Sequence, residues 1–153
     1  MMEIINQMKL EFLSIPANVA FARVAVAAFA SQLEFTLNDL EEIKVAVSEA
    51  VANAIIHGYA NSPGGTIRIV ATLGKDSLEV RIEDDGKGIE DIKKALQPAY
   101  SSDPERTGLG FVFMQSFMES LQVDSAPGEG TRVSMVKTVN PSLSSTSYTQ
   151  LEP

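Results

Sequence analysis

The chain holds no cysteine, which excludes disulfides and thiolate-ligated metals, and with them a secreted disulfide framework. Nowhere do about 18 apolar residues run together, the length a membrane-spanning helix needs. The opening MMEIINQMKLEF also lacks the basic start and apolar stretch of a signal peptide. These absences lead us to expect a soluble, cytoplasmic protein. Basic residues are scarce as well: 12 Lys and Arg against 20 Asp and Glu leave a net charge of −8. That disfavours nucleic acid, because phosphate binding needs clustered cations. The acidity itself suits either a basic partner or solubility alone. The only histidine, His57, has no companion ligands and reads as structural.

What is present is ordinary globular composition, 44% apolar over 153 residues, enough for one domain with its own core. We place that domain at residues 1–139 and read the Ser/Thr-rich stretch 140–153 as a disordered tail. INQMKLEFLS alternates loosely and predicts a first strand, stopped by Pro16. The alanine-rich run from Asn18 to Leu33 predicts a helix covered on more than one face, interrupted by Arg23. Thr36, with Asp39 three residues on and Glu41 and Glu42 behind it, opens a second helix running to about His57, where Gly58 supplies a stop.

TIRIVATL and SLEVRIED each place apolar residues in period two, Ile67, Ile69, Ala71 and Leu73, then Leu78, Val80 and Ile82. Joined by GKDS they predict an antiparallel hairpin. Residues 86 to 107 turn irregular apart from a short helical possibility at EDIKKAL; a loop of that length is usually functional or mobile. GLGFVFMQSFMESL predicts a third helix, and LQVDSA with GTRVSMVKTV a closing pair around PGEG. Strands grouped as hairpins favour an α+β two-layer sandwich over a parallel sheet.

Four features can carry chemistry. On the second helix Leu40, Ile43, Val47, Ala50, Val51 and Ala54 form the core stripe, whereas Glu49 and Asn53 stack one turn apart on another side. They are either a solvated flank or a pair facing one ligand. Asp84 keeps phase with Leu78, Val80 and Ile82, so it is either a carboxylate on the buried face, which requires partners, or the start of the turn into GKG. In DDGKGI, Gly86 and Gly88 permit close backbone approach to a ligand. Thr107-Gly108-Leu109-Gly110 opens the third helix, where free N–H groups suit phosphate, though a glycine-rich turn explains the same letters.

The order of these pieces, SEAVANAIIHG on a helix, DDGKGI after a strand, RTGLGF closing a long loop and GEGTRV late in the chain, resembles the ATPase superfamily of gyrase, Hsp90, histidine kinases and MutL. The resemblance covers roughly residues 8 to 139. FARVAVAAFASQL followed by EIKVAVSEAVANAIIHGY is similar to its stand-alone serine-kinase branch, the sporulation anti-sigma factors; the loop before RTGLGF is shorter than that pattern and the tail is a second difference. The resemblance implies a Bergerat ATP-binding fold with a mixed, mostly antiparallel sheet and helices on one face. It implies that Mg-ATP or ADP binds with Asp84 accepting from the adenine amino group, supported by Thr131 and the Gly86 and Gly88 backbone. It further implies Asn53 on Mg²⁺, Glu49 activating a serine hydroxyl, and Arg106 approaching the γ-phosphate. Ser101, Ser102, Thr107, Gly108, Leu109 and Gly110 would contact the nucleotide, Gly108 and Gly110 through backbone donors. The implied partners are a sigma factor of the sigma-F type, an anti-anti-sigma protein carrying the substrate serine, and a second copy of the chain. Arg23 matches a partner-contacting arginine, and a snorkelling surface arginine explains it as well. Two rivals stay open: an ATP-dependent binding switch that transfers no phosphate, and a stress-response paralogue with the same chemistry and other partners.

Overall fold

A computed structural model describes residues 3–96 and 110–140. Strand β1 (Asn6–Leu13) is followed by helices α1 (Ala17–Ala30) and α2 (Leu37–Asn53), then by a π-helical turn, Ala54–Gly58. The hairpin β2 (Thr66–Leu73) and β3 (Ser77–Asp84) leads through a one-turn helix α3 (Ile92–Ala95) to α4 (Gly110–Phe117) and the pair β4 (Ser120–Ser125) and β5 (Thr131–Thr138). The strands form one sheet in the order β1-β2-β3-β5-β4. Among the described residues every pairing is antiparallel, in line with the mostly antiparallel sheet expected.

The period-two positions face the helices as predicted. Ile67, Ile69, Ala71, Leu73, Leu78, Val80 and Ile82 are all buried, and Val133 and Met135 continue the same face on β5. Against them lie Ile43, Ala46, Val47, Ala50 and Val51 of α2. The opposite face of β3 carries Glu79, Arg81 and Glu83, with Arg81 Nε 3.0 Å from Glu83 Oε1.

Three helices depart in detail from the sequence reading. α1 is buried on one face and not on more than one: Ala22, Val26, Ala27 and Ala30 are buried, whereas Phe21 and Val24 are 51% and 58% exposed. The second helix reaches Gly58 as expected, but beyond Asn53 it widens, with Tyr59 N donating to Ala54 O at 2.9 Å. Such π turns recur at functional sites. The third helix ends at Phe117, because Lys137 Nζ donates to the Phe117 carbonyl at 2.6 Å while Glu119 N already joins the strand ladder at Val136 O. Lys137 is itself buried on the inner face of β5 and also reaches Glu42 at 3.4 Å, tying β5, α2 and α4 together. The tail from Pro141 onward lies outside the described residues.

Candidate functional site

The antiparallel registers line up one row across the sheet: Ile67 on β2 faces Asp84, Asp84 faces Thr131, and Thr131 faces Ser125. Above this row, where α2 passes into its π turn, a cavity of about 670 Å³ opens, within the range of small-molecule sites. Asp84, Thr131, Ile82 and Val133 form its sheet side. Asn53, His57 and Gly58 form the helix side, and Gly88 to Asp91 with Lys87 and Lys94 the rim. Gly110 and Phe111 bring the first turn of α4 to the same space.

Asp84 is 7% exposed and makes no ion pair among the described residues. Its Oδ1 accepts from Gly86 N at 2.9 Å. Burial pushes the carboxyl above the ordinary aspartate value, opposed by the Gly86 amide. Its neighbour Asp85 faces the other way, held by both terminal nitrogens of Arg68 at 2.9 and 3.0 Å, and that guanidinium lowers its pKa. Tyr59 Oη accepts from Asp85 N and donates to Thr66 O, so the strand end is fixed and the two carboxylates cannot exchange places.

Gly58 stands so close to the carboxylate that a Cβ there would lie 2.9 Å from Asp84 Oδ1. Gly86 and Gly88 also permit a close approach within the chain itself. A Cβ on Gly86 would strike the Gly58 carbonyl at 2.1 Å, and one on Gly88, at φ +77°, the Ala126 carbonyl at 2.0 Å. Both glycines let the chain pack on itself: Lys87 N donates to Gly58 O at 2.9 Å and Gly128 N to Lys87 O at 2.7 Å. The turn is thereby held between α2 and the β4–β5 hairpin.

Of the residues singled out from sequence, Asn53, Asp84, Gly88, Gly110 and Thr131 meet at this cavity. Gly86 lies behind its wall. Glu49 is half-buried one turn before Asn53 and is not part of the wall. Arg23 is exposed on α1, away from the cavity. Ser101, Ser102, Arg106, Thr107, Gly108 and Leu109 lie outside the described residues. His57, read as structural, lines the cavity, and Ser125 was not singled out at all. Counting back across the PGEG turn from Thr131 would have found Ser125 opposite it.

The site fits an amine-bearing ligand with an anionic tail. A buried carboxylate in the cavity wall requires a donor, and the start of α4 at the same cavity favours negative charge. The donor set also fits a magnesium ion carried in with phosphates, since Asn53 on the cavity wall carries a neutral amide oxygen.

Residues 12–137 match the histidine kinase-like ATPase domain family. The chain is 49% identical over 137 residues to the anti-sigma F factor of Clostridium beijerinckii, covering 88% of this chain and 96% of that protein. It is 51% identical over 138 residues to that of Thermoanaerobacter pseudethanolicus, covering 89% and 96%. It is also 50% identical over 139 residues to that of Oceanobacillus iheyensis, covering 90% and 95%. The chain belongs to the anti-sigma F factor family. Solved structures place the family's fold more widely. The RsbU and RsbW domains of a Mycobacterium tuberculosis protein align over 87% of this chain and 32% of theirs, with a TM-score of 0.64 at 17% identity. The histidine kinase domain of the Erythrobacter litoralis blue-light activated histidine kinase aligns over 81% and 60%, with a TM-score of 0.54 at 19% identity. At those identities the likeness is one of fold, and it is the two-layer fold expected for the anti-sigma F factor family. No helix among its described residues is long and apolar enough to cross a membrane.

Proposed function

We propose that the chain is a cytoplasmic protein serine kinase and anti-sigma factor: it holds a sigma-F-type factor, and it transfers a phosphoryl group from Mg-ATP to a serine of an anti-anti-sigma protein. The observation that carries the site assignment is Asp84, buried without an ion pair among the described residues and facing the same cavity as Asn53 and Thr131. When bound, Mg-ATP supplies the γ-phosphoryl group and the charge that α4 faces. Asp84 would accept from the adenine amino group with Thr131 beside it, and Asn53 would give its amide oxygen to Mg²⁺. Glu49, one turn along α2, takes the proton of the incoming serine hydroxyl. Arg106, with Ser101, Ser102, Thr107, Gly108, Leu109 and Gly110, completes the phosphate end in this reading. Arg23 is exposed on α1, which also exposes the apolar side chains Phe21 and Val24; this suits a protein partner and supports a contact surface for the sigma factor or for a second copy of the chain.

The test is Glu49→Gln. Removing a general base typically lowers rate by about 10²- to 10⁴-fold, while the contacts at Asp84 and Thr131 stay intact. Single-turnover phosphorylation of the serine partner should therefore collapse with ADP affinity unchanged. Transfer at the wild-type rate would remove Glu49 from the chemistry. Wild-type protein that binds ATP yet phosphorylates no serine-bearing partner would instead favour the binding-switch reading.

A further inference from the structure

Ser125 sits at the end of the Ile67–Asp84–Thr131 row and makes three short contacts through one oxygen. Ile89 N donates to its Oγ at 2.8 Å, the Gly130 carbonyl lies 2.8 Å away, and Thr131 Oγ1 lies 2.9 Å away. A serine hydroxyl owns one proton and two lone pairs. The Gly130 carbonyl can only accept, so it takes the Ser125 proton. The proton between Ser125 and Thr131 must then belong to Thr131. The Thr131 hydroxyl hydrogen is turned toward Ser125, so toward a ligand in the cavity this oxygen can act only as an acceptor.

The second group on this floor is the Asp84 carboxylate, also an acceptor, with Oδ1 already engaged by Gly86 N. The geometry points to Ser125 as a positioning residue that locks Thr131 as an acceptor, so that the floor presents two acceptors and selects a base carrying an amino group over one carrying an oxo group at the same place. This rests on the nucleotide-site reading above and deepens it. An oxo group opposite two fixed acceptors leaves buried lone pairs facing one another, a mismatch that sites built on hydrogen bonds reject strongly. Loss of the Ser125 hydroxyl frees the Thr131 proton, which can then turn toward the cavity and donate to the oxo group.

Ser125 also anchors Ile89 at the cavity rim, so a general loosening would lower the affinity of every nucleotide alike. The informative quantity is therefore the ratio of affinities for Mg-ADP and Mg-IDP, which differ at the 6-position of the base, read by titration calorimetry beside a melting curve. In Ser125→Ala the preference for ADP over IDP should fall about tenfold, the scale of one hydrogen bond, and Ser125→Thr, which restores the hydroxyl, should recover it. If the alanine protein does not fold, Ser125→Cys keeps the volume with a weak thiol donor and should show the same fall. Equal losses for both nucleotides, or an unchanged ratio in a folded variant, overturn the assignment while leaving the nucleotide site standing. Wild-type protein that binds neither nucleotide overturns both.

Discussion

Asp84 and Asp85 are neighbours with opposite surroundings, and the contrast explains why only one of them is costly to the fold. Asp85 is exposed and clamped by Arg68, whereas Asp84 is buried with a backbone amide as its partner. Because burial raises the Asp84 carboxyl in the folded state, the folded chain binds more protons than the unfolded one between the ordinary aspartate value and the raised one. Stability contributed at this residue therefore falls as pH rises through that window. Asp84→Asn removes the charge and keeps an acceptor for Gly86 N. We expect its ligand-free melting temperature at neutral pH to equal or exceed wild type, with any gain from the removed charge shrinking as pH falls through that same window toward the ordinary aspartate value. Its ADP affinity should drop about 10- to 100-fold, the scale of a hydrogen bond to a charged group. A variant that melts lower at neutral pH and binds ADP normally would show that Asp84 serves the fold and not the ligand.

At the scale of the element, α2 does two separable jobs from its two ends. Its start is closed by a capping box in which Asp39 N donates to Thr36 Oγ1 and Thr36 N to Asp39 Oδ2, both at 3.0 Å. Its last turn holds Asn53 and runs into the π turn at the cavity. Thr36→Ala should cost about 1 kcal/mol, seen as a lower urea midpoint with an unchanged slope, and should leave ADP affinity alone because the cavity lies at the opposite end. A change in ADP affinity matching the stability loss would mean that the two ends are coupled. The capping box, the strand phases and the Glu49–Asn53 spacing were legible in the sequence because each depends on neighbours within a few residues. The π turn was not, since the letters AIIHG continue a helix by propensity and the widening goes with close packing of Gly58 on Asp84 and Gly86, partners some 26 or more positions away. Lys137 and Ser125 escaped for the same reason: their roles come from register across the sheet, which local patterning does not specify.

For the molecule as a whole, charge sets the condition for binding. The chain carries a net −8, and the cavity wall holds the carboxylates of Asp84, Glu90 and Asp91 beside Lys87 and Lys94. A polyphosphate entering there adds negative charge to an acidic field, which opposes association unless a cation accompanies it. Mg²⁺ is expected to arrive on the phosphates, keep most of its waters and take one protein oxygen from Asn53. Ligand-free protein should then melt at the same temperature with and without EDTA. Mg-ATP at about 100 times its Kd should stabilise the fold by roughly 2.7 kcal/mol, and EDTA should cut that gain to about half or less, the mark of at least about a tenfold loss of affinity. Asn53→Ala should reproduce the loss with Mg²⁺ present, which separates the role of the metal at α2 from nonspecific screening by added salt. Monovalent salt at matched ionic strength should not substitute for Mg²⁺. An ATP-induced rise in melting temperature that survives EDTA unchanged would show that the lysines alone neutralise the phosphates and would remove Asn53 from the metal.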